Sequence, residues 1–303
     1  MTEQIDTSLK IPGGGGRGRS KKSLGLIDAM VEIVEASSPI TGRGVGYQLF
    51  TRGLIPSMSR KDMQRVYRLL KQAREDDTID WSDIVDEGRA LEKVSSWTDP
   101  EGFARSAANQ YRRDFWDQQP NRCEVWSEKG TIRGVLQPVL DQYGIGFRVH
   151  HGFSSATTVH EVADDDGREL TALYVGDWDP SGMFMSEVDL PERLEGYGGY
   201  HVTVKRIALT EGQLAGLPSF SASDKRRDPR YRWFIKKYGH RCWEIDALDP
   251  NVLRRCVKHH IEDCIEDREA WERCKRVNDA ERESLEGFLK SWTRKSKRAS
   301  RAE

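Results

Sequence analysis

The chain has 303 residues, with 48 Lys or Arg against 49 Asp or Glu, so its formal net charge is −1. Charged residues make up 32% and hydrophobic residues 37%, the balance of a globular protein with chain enough for roughly two domains of about 100–200 residues. No apolar run approaches the ~18–20 residues of a membrane span and the first residues hold no apolar signal core, so no membrane partner is expected.

Residues 1–22 include the Gly-rich basic run KIPGGGGRGRSKK and have no apolar periodicity, which reads as a disordered basic tail. Leu24, Ile27, Val31 and Val34 recur at helical spacing, and Ser37-Ser38-Pro39 stops that helix. Thr41 is a candidate N-cap for a second helix carrying Val45, Leu49 and Phe50, ended by Gly53 and Pro56. A third helix follows Ser59 through Met63, Val66, Leu69 and Leu70, with Arg60, Lys61, Arg65, Arg68, Lys71 and Arg74 around it. Residues 78–81 then read as extended. Over 24–91 this order predicts a winged helix-turn-helix that binds double-stranded DNA, with Arg60, Lys61, Arg65 and Arg68 on the helix entering the groove. A three-helix packing module with a solvated basic face is the other reading.

A linker helix is expected over 92–120, and from 121 the rhythm changes. Stretches of strand character at 122–127, 146–150, 170–175 and 202–209 alternate with helical ones at 131–143, 156–163 and 181–194. That alternation predicts an α/β domain over 121–267 with a parallel sheet. Residues 242–245 read as a further strand and 250–265 as a helix. Residues 268–303 read as a C-terminal helix with a basic tail. The five cysteines are an odd number in a long chain and are expected to be reduced thiols in a cytoplasmic protein.

The chemistry concentrates where strands end. The strand at 122–127 runs into Glu128-Lys129-Gly130, and the strand at 170–175 into Gly176-Asp177-Trp178-Asp179-Pro180-Ser181-Gly182. In a parallel sheet all carboxyl ends lie on one edge, where ligands bind. Glu128, Asp177 and Asp179 can therefore meet, and carboxylates that converge repel unless a cation neutralises them. Hard oxygen donors suit Mg²⁺ or Mn²⁺. D-x-D-x-x-G also occurs in turns and Ca²⁺ loops, and a Glu after a strand can simply start a helix. Lys129, Arg133, Lys205, Arg206 and the run Lys225-Arg226-Arg227 are expected phosphate contacts. Cys256, His260 and Cys264 stand at i, i+4 and i+8, but one helix face rarely supplies a whole zinc site, so buried thiols and a surface histidine are expected there.

Glu128-Lys129-Gly130 before a helix, followed by the Gly176–Gly182 segment, resembles the Toprim domain of topoisomerases, primases and several nucleases. The D-x-D-P-x-G form is similar to the topoisomerase VI A subunit and Spo11. Two further segments carry the likeness, which spans about residues 25–265. Arg43-Gly44-Val45-Gly46-Tyr47 is similar to the family's R-x-x-(F/Y)-Y segment with its nucleophilic tyrosine, although Gly46 stands where the family often has an aromatic residue. Trp243-Glu244-Ile245-Asp246-Ala247-Leu248 resembles the strand and turn that close such domains.

The resemblance implies a Toprim-like Rossmannoid domain whose Glu128, Asp177 and Asp179 hold Mg²⁺, with Glu128 also moving a proton. It implies that Tyr47 attacks a DNA phosphodiester to give a 5′-phosphotyrosyl link while Arg43 steadies the phosphate. A homodimer is implied, each tyrosine working against the partner's metal site, and strand passage would need a separate ATPase subunit. The setting implied is a prokaryotic or phage protein at the nucleoid. Tyr47 lies between Val45 and Leu49 and can equally be a packing residue. A hydrolytic Toprim endonuclease and a non-catalytic DNA-binding recombination or regulatory protein are the alternative functions.

Overall fold

The computed structural model describes residues 21–85, 96–150, 156–165 and 167–299. The tail expected over 1–22 lies outside the described residues up to residue 20, as does the end of the expected first domain from residue 86 onward.

Apolar spacing dictates the N-terminal helices: α1 (Lys21–Ser37), α2 (Gly42–Thr51) and α3 (Arg60–Glu75). Each of the last two begins at a hydroxyl cap. Thr41 Oγ1 accepts the Gly44 N–H at 2.8 Å, and Ser59 Oγ accepts the Asp62 N–H at 3.4 Å. Met63, Val66, Leu69, Leu70 and Ala73 bury one face of α3 against Met30, Ile33, Val45 and Leu49. Arg60, Lys61 and Arg68 on its opposite side are exposed and Arg65 is half-buried. Strand β1 (Ile40–Thr41) pairs in parallel with β2 (Ile84–Val85). The extended segment expected at 78–81 is displaced. Asp80 Oδ1 accepts the Ser82 N–H and hydroxyl, at 2.7 and 2.6 Å, turning Trp81–Asp83 into a 3₁₀ turn before β2.

The linker helix expected over 92–120 is shorter: of its described residues, 96–120, only α4 (Pro100–Gln110) is helical, and 111–120 form a turn-rich connector to the next strand. The α/β domain follows with β3 (Arg122–Ser127), α5 (Thr131–Tyr143), β4 (Gly146–Val149), α6 (Ala156–Ala163), β5 (Leu170–Val175), α7 (Pro180–Phe184), α8 (Leu190–Gly196) and β6 (Val202–Ala208). Its four strands form a parallel sheet of order β4-β3-β5-β6, with Val125 opposite both Phe147 and Leu173. Side chains alternate between two cores. Cys123, Val125, Leu173 and Val175 pack with α5, and Trp126, Ala172 and Tyr174 pack with Val159, Val162 and Leu194 on the other face. The result is a Rossmann-like α/β sandwich.

The helix expected at 181–194 runs from Pro180 to Gly196 but carries a π turn. The π turn Met185–Asp189 separates α7 from α8, and Ser186 Oγ there donates back to Gly182 O at 3.1 Å. The strand expected at 242–245 is also shorter. Strand β7 (Phe220–Ser221) precedes α9 (Tyr231–Tyr238) and pairs antiparallel with β8 (Arg241–Cys242), after which the chain crosses the end of β5 and enters a 3₁₀ turn, Ile245–Ala247. The chain ends in α10 (Pro250–Asp263) and α11 (Arg268–Ala299). The N-terminal helices dock on this later part: Asn251 Nδ2 donates to Ala36 O at 2.8 Å, and the Arg254 guanidinium donates to Ser37 O, Pro39 O and Val135 O.

Candidate active site

The segment after β5 is built by its own residue types. Asp179 caps α7, its Oδ1 accepting the Gly182 N–H at 2.8 Å, and Pro180 supplies the preset φ of a first helical residue. Gly182 is required by a close approach, because a Cβ there would lie 2.4 Å from the Asp177 carbonyl oxygen. This fold turns Asp177 and Asp179 inward, and both are buried. Glu128 leaves the end of β3 beside them, with Ser181 Oγ 3.5 Å from its Oε2.

The electrostatics follow from that crowding. Burial pushes the Glu128 carboxyl up to about 7, and the Asp177 and Asp179 charges add to the shift. Burial also raises Asp177, with Asp179 adding and the Lys129 amine opposing. Two lysines balance the aspartates. Lys129 Nζ lies 2.9 Å from Asp177 Oδ1 and 3.0 Å from Asp246 Oδ2, and Lys225 Nζ lies 3.1 Å from Asp179 Oδ2. Burial works against the Lys129 charge, but Asp177, Asp246 and Glu244 outweigh it and raise its pKa.

Arg206, on β6, fixes the loop from beneath. Its guanidinium donates to the carbonyl oxygens of Gly176, Asp177, Gly182 and Leu209 and to the Ser186 hydroxyl. From the other side comes the segment after β8. Trp178 and Trp243 exchange backbone hydrogen bonds of 2.9 and 3.0 Å, and the Ile245 N–H donates to Asp177 Oδ1 at 2.8 Å. That crossing brings in two more carboxylates. Asp246 Oδ1 accepts the Thr41 hydroxyl at 2.6 Å, and Glu244 takes the Arg43 guanidinium in a two-point pair.

Tyr47 lies one turn beyond Arg43 on α2, with the Arg43 guanidinium carbon 5.7 Å from its ring centre. Only 4% of Tyr47 is exposed. Burial pushes its phenol above the usual range, Glu244 adds to the rise, and Arg43 opposes it. Two cavities flank Arg43. One of about 370 Å³ is lined by Tyr47, Phe50, Met58, Phe220 and Glu244. The other, of about 490 Å³, is lined by Tyr67, Lys71, Arg74, Lys129 and Asp246.

The expected trio is thus gathered at one sheet edge, close enough for the aspartates to perturb Glu128. Among the described residues, however, no three His, Cys, Asp or Glu groups stand in an arrangement that would hold a metal ion. The donor chemistry fits a hard divalent cation, but lysine amines hold the positions on Asp177 and Asp179 that such a cation would contest. Lys129, Arg206 and Lys225, expected to touch phosphate, contact the acidic segment in this structure. Arg60, Lys61, Arg65 and Arg68 lie on α3, apart from these carboxylates. Of the zinc line, Cys256 Sγ donates to Ile207 O at 3.3 Å and His260 Nδ1 lies 3.5 Å from Lys205 Nζ.

Glu244 and Asp246 were not foreseen as site residues. Ile245 enters the core, and the carboxylates on either side of it reach Arg43 and Thr41. Comparison of the chain with family models, with curated proteins and with solved structures gives no match.

Proposed function

We propose that this chain is a Toprim-type, Mg²⁺-dependent DNA-cleaving enzyme of the kind represented by the topoisomerase VI A subunit and Spo11. The observation that carries the reading is the acidic edge itself: Glu128 from one strand end and Asp177 and Asp179 from the next, with Glu128 poised near 7. Magnesium or manganese held by these three carboxylates would supply Lewis-acid stabilisation of phosphoryl oxygens.

The chain's own residues have defined parts. Glu128, its carboxyl raised by burial, is the group assigned to hand a proton to the departing 3′ oxygen. Lys129 and Lys225 pair with Asp177 and Asp179, and Arg206 keeps the loop in one shape. The N-terminal helices act as the winged-helix element, laying the exposed α3 cations along phosphates. A homodimer and a separate ATPase subunit belong to this reading if cleavage serves strand passage, and the nucleoid is then its place of work.

In the transesterification form, the Tyr47 oxygen bonds to phosphorus, the P–O3′ bond breaks, and the phenolic proton leaves to base or solvent. A tyrosine this buried reaches a strand only if α2 separates from the 244–247 segment. The same burial favours a second reading, hydrolysis by water at the acidic edge, with Tyr47 packing only.

Supercoiled plasmid incubated with the protein and Mg²⁺ or Mn²⁺ distinguishes them. Protein linked to 5′ ends, and lost in Tyr47→Phe, supports transesterification. Free ends made equally well by Tyr47→Phe support hydrolysis. Plasmid that is bound but never cut removes the enzyme reading in favour of a DNA-binding protein.

A further inference from the structure

The start of β3 and the end of α10 are clamped together by two buried amide side chains. Asn121 Nδ2 donates to Cys264 O at 2.9 Å, and Gln119 Nε2 donates to Asp267 O at 2.9 Å. Gln119 Oε1 accepts the Glu266 and Asp267 N–H groups at 3.1 and 3.0 Å. A buried polar clamp of this kind fixes one backbone against the other. It leaves two thiols together. Cys123 packs in the core on the α5 side of the sheet, Cys264 packs against that same core, and the two side chains lie within hydrogen-bonding reach of each other. Thr171, directly opposite Cys123 on β5, also hydrogen-bonds Cys264.

The two thiols are not equivalent. Cys123 is 5% exposed, whereas Cys264 is only half-buried. The hydrogen bond with Cys123 holds the Cys264 thiol below the usual range against the effect of burial, and Lys205 and Thr171 add to the lowering. That same hydrogen bond, with burial, pushes Cys123 up. Burial also raises Cys242, Cys256 and Cys274. Cys264 alone of the five cysteines is shifted toward the reactive thiolate.

We infer that Cys123 and Cys264 form a peroxide-sensitive dithiol site that closes to a disulfide, tying the start of β3 to the end of α10. The Cys264 thiolate sulfur attacks one oxygen of hydrogen peroxide. The O–O bond breaks, hydroxide leaves and is protonated to water, and Cys264 becomes a sulfenic acid. The Cys123 sulfur then bonds to the Cys264 sulfur, the S–O bond breaks, and the oxygen departs as a second water with the Cys123 proton. Two thiols lose two electrons, and one peroxide becomes two waters. Helix α10 also carries Arg254, which holds Ser37 O and Pro39 O, so the cross-link pins the helix on which the N-terminal helices dock. The site needs none of the carboxylates of the cleavage reading and would hold for a protein that cuts nothing.

Peroxide treatment of the full chain tests it. A small molar excess of hydrogen peroxide without denaturant, then alkylation and peptide mapping without reductant, is expected to give one linked pair of peptides bearing Cys123 and Cys264. Alkylatable thiols should fall from five to three and return to five in dithiothreitol. Cys123→Ser is expected to stop at a Cys264 sulfenic acid that dimedone traps, and Cys264→Ser to keep its four remaining thiols through the same exposure. Circular dichroism shows whether each variant folds, and the wild-type map needs neither. A linked pair involving another cysteine, thiols oxidised only after unfolding, or Cys123 oxidised as fast in Cys264→Ser as in the wild type would overturn the inference.

Discussion

Arg43 grips both carboxylate oxygens of Glu244, 201 residues further along the chain. This pair joins the helix bearing Tyr47 to the segment that closes the acidic edge, so a local contact governs how the two halves meet. Arg43 is about one-third exposed, and solvent screening limits what the pair contributes. A double-mutant cycle of Arg43→Ala and Glu244→Ala, read by chemical denaturation, is expected to give a coupling of about 1 kcal/mol. Amide exchange over 40–51 should quicken in both single variants, and an unchanged pattern would show that α2 is held by packing alone.

Glu128 provides a pH signature. Its folded-state pKa, about 7, lies above the ordinary 4.5, so the folded protein binds that proton more tightly than the unfolded chain. The stability contributed is complete below pH 4.5 and lost as pH rises through 7, amounting to about 3 kcal/mol. Glu128→Gln cannot ionise. In chelator-treated buffer its unfolding free energy should match the wild type near pH 4 and exceed it by that amount at pH 8. Millimolar Mg²⁺ should stabilise the wild type at pH 8 and leave the variant nearly unmoved; equal stabilisation of both would remove Glu128 from the metal site.

Arg206→Lys is expected to destabilise the fold by about 2–4 kcal/mol, because a compact ammonium cannot span the carbonyls of Gly176, Asp177, Gly182 and Leu209 that the planar guanidinium reaches. Urea denaturation supplies the number. Plasmid cleavage should fall even at temperatures where the variant is fully folded, since the loop bearing Asp177 and Asp179 loses its anchor.

The cations of α3 should reveal themselves through salt. Replacing exposed Arg60, Lys61 or Arg68 with Ala is expected to weaken binding to unrelated DNA sequences alike, and to lower the slope of log affinity against log salt by about one each. Fluorescence anisotropy across a salt series measures this. Asp177→Ala, in contrast, should leave DNA affinity within severalfold while abolishing cutting. Slopes unaffected by all three α3 substitutions would move the DNA contact to another face.

Much of the α/β domain was legible because its segments obey simple periodicities. Residues 122–127 alternate Arg122 and Glu124 with Cys123 and Val125, 170–175 are a short apolar run, and Thr131–Tyr143 repeats Ile132, Val135, Leu136, Val139 and Leu140 at helical spacing. The acidic edge was legible because strand direction alone decides which ends share a side. What escaped depends on contacts between distant segments. Nothing near Glu244 or Asp246 announces that Arg43, Thr41 and Lys129 will meet them. Lys129 and Lys225 read as phosphate contacts because sequence shows their charge but not the aspartates 2.9 and 3.1 Å away. The π turn after α7 likewise follows from the packed surroundings of Ser186 rather than from helix propensity.

The hydrogen bond from Ile245 to Asp177 spans 68 residues, and it has a bearing on biosynthesis. On the ribosome the carboxylates at 128, 177 and 179 emerge well before the stretch that will cap them, and Lys225 arrives between. The acidic centre is therefore finished only after residue 246 has cleared the exit tunnel, so a half-translated polypeptide carries its three carboxylates without the segment that closes over them.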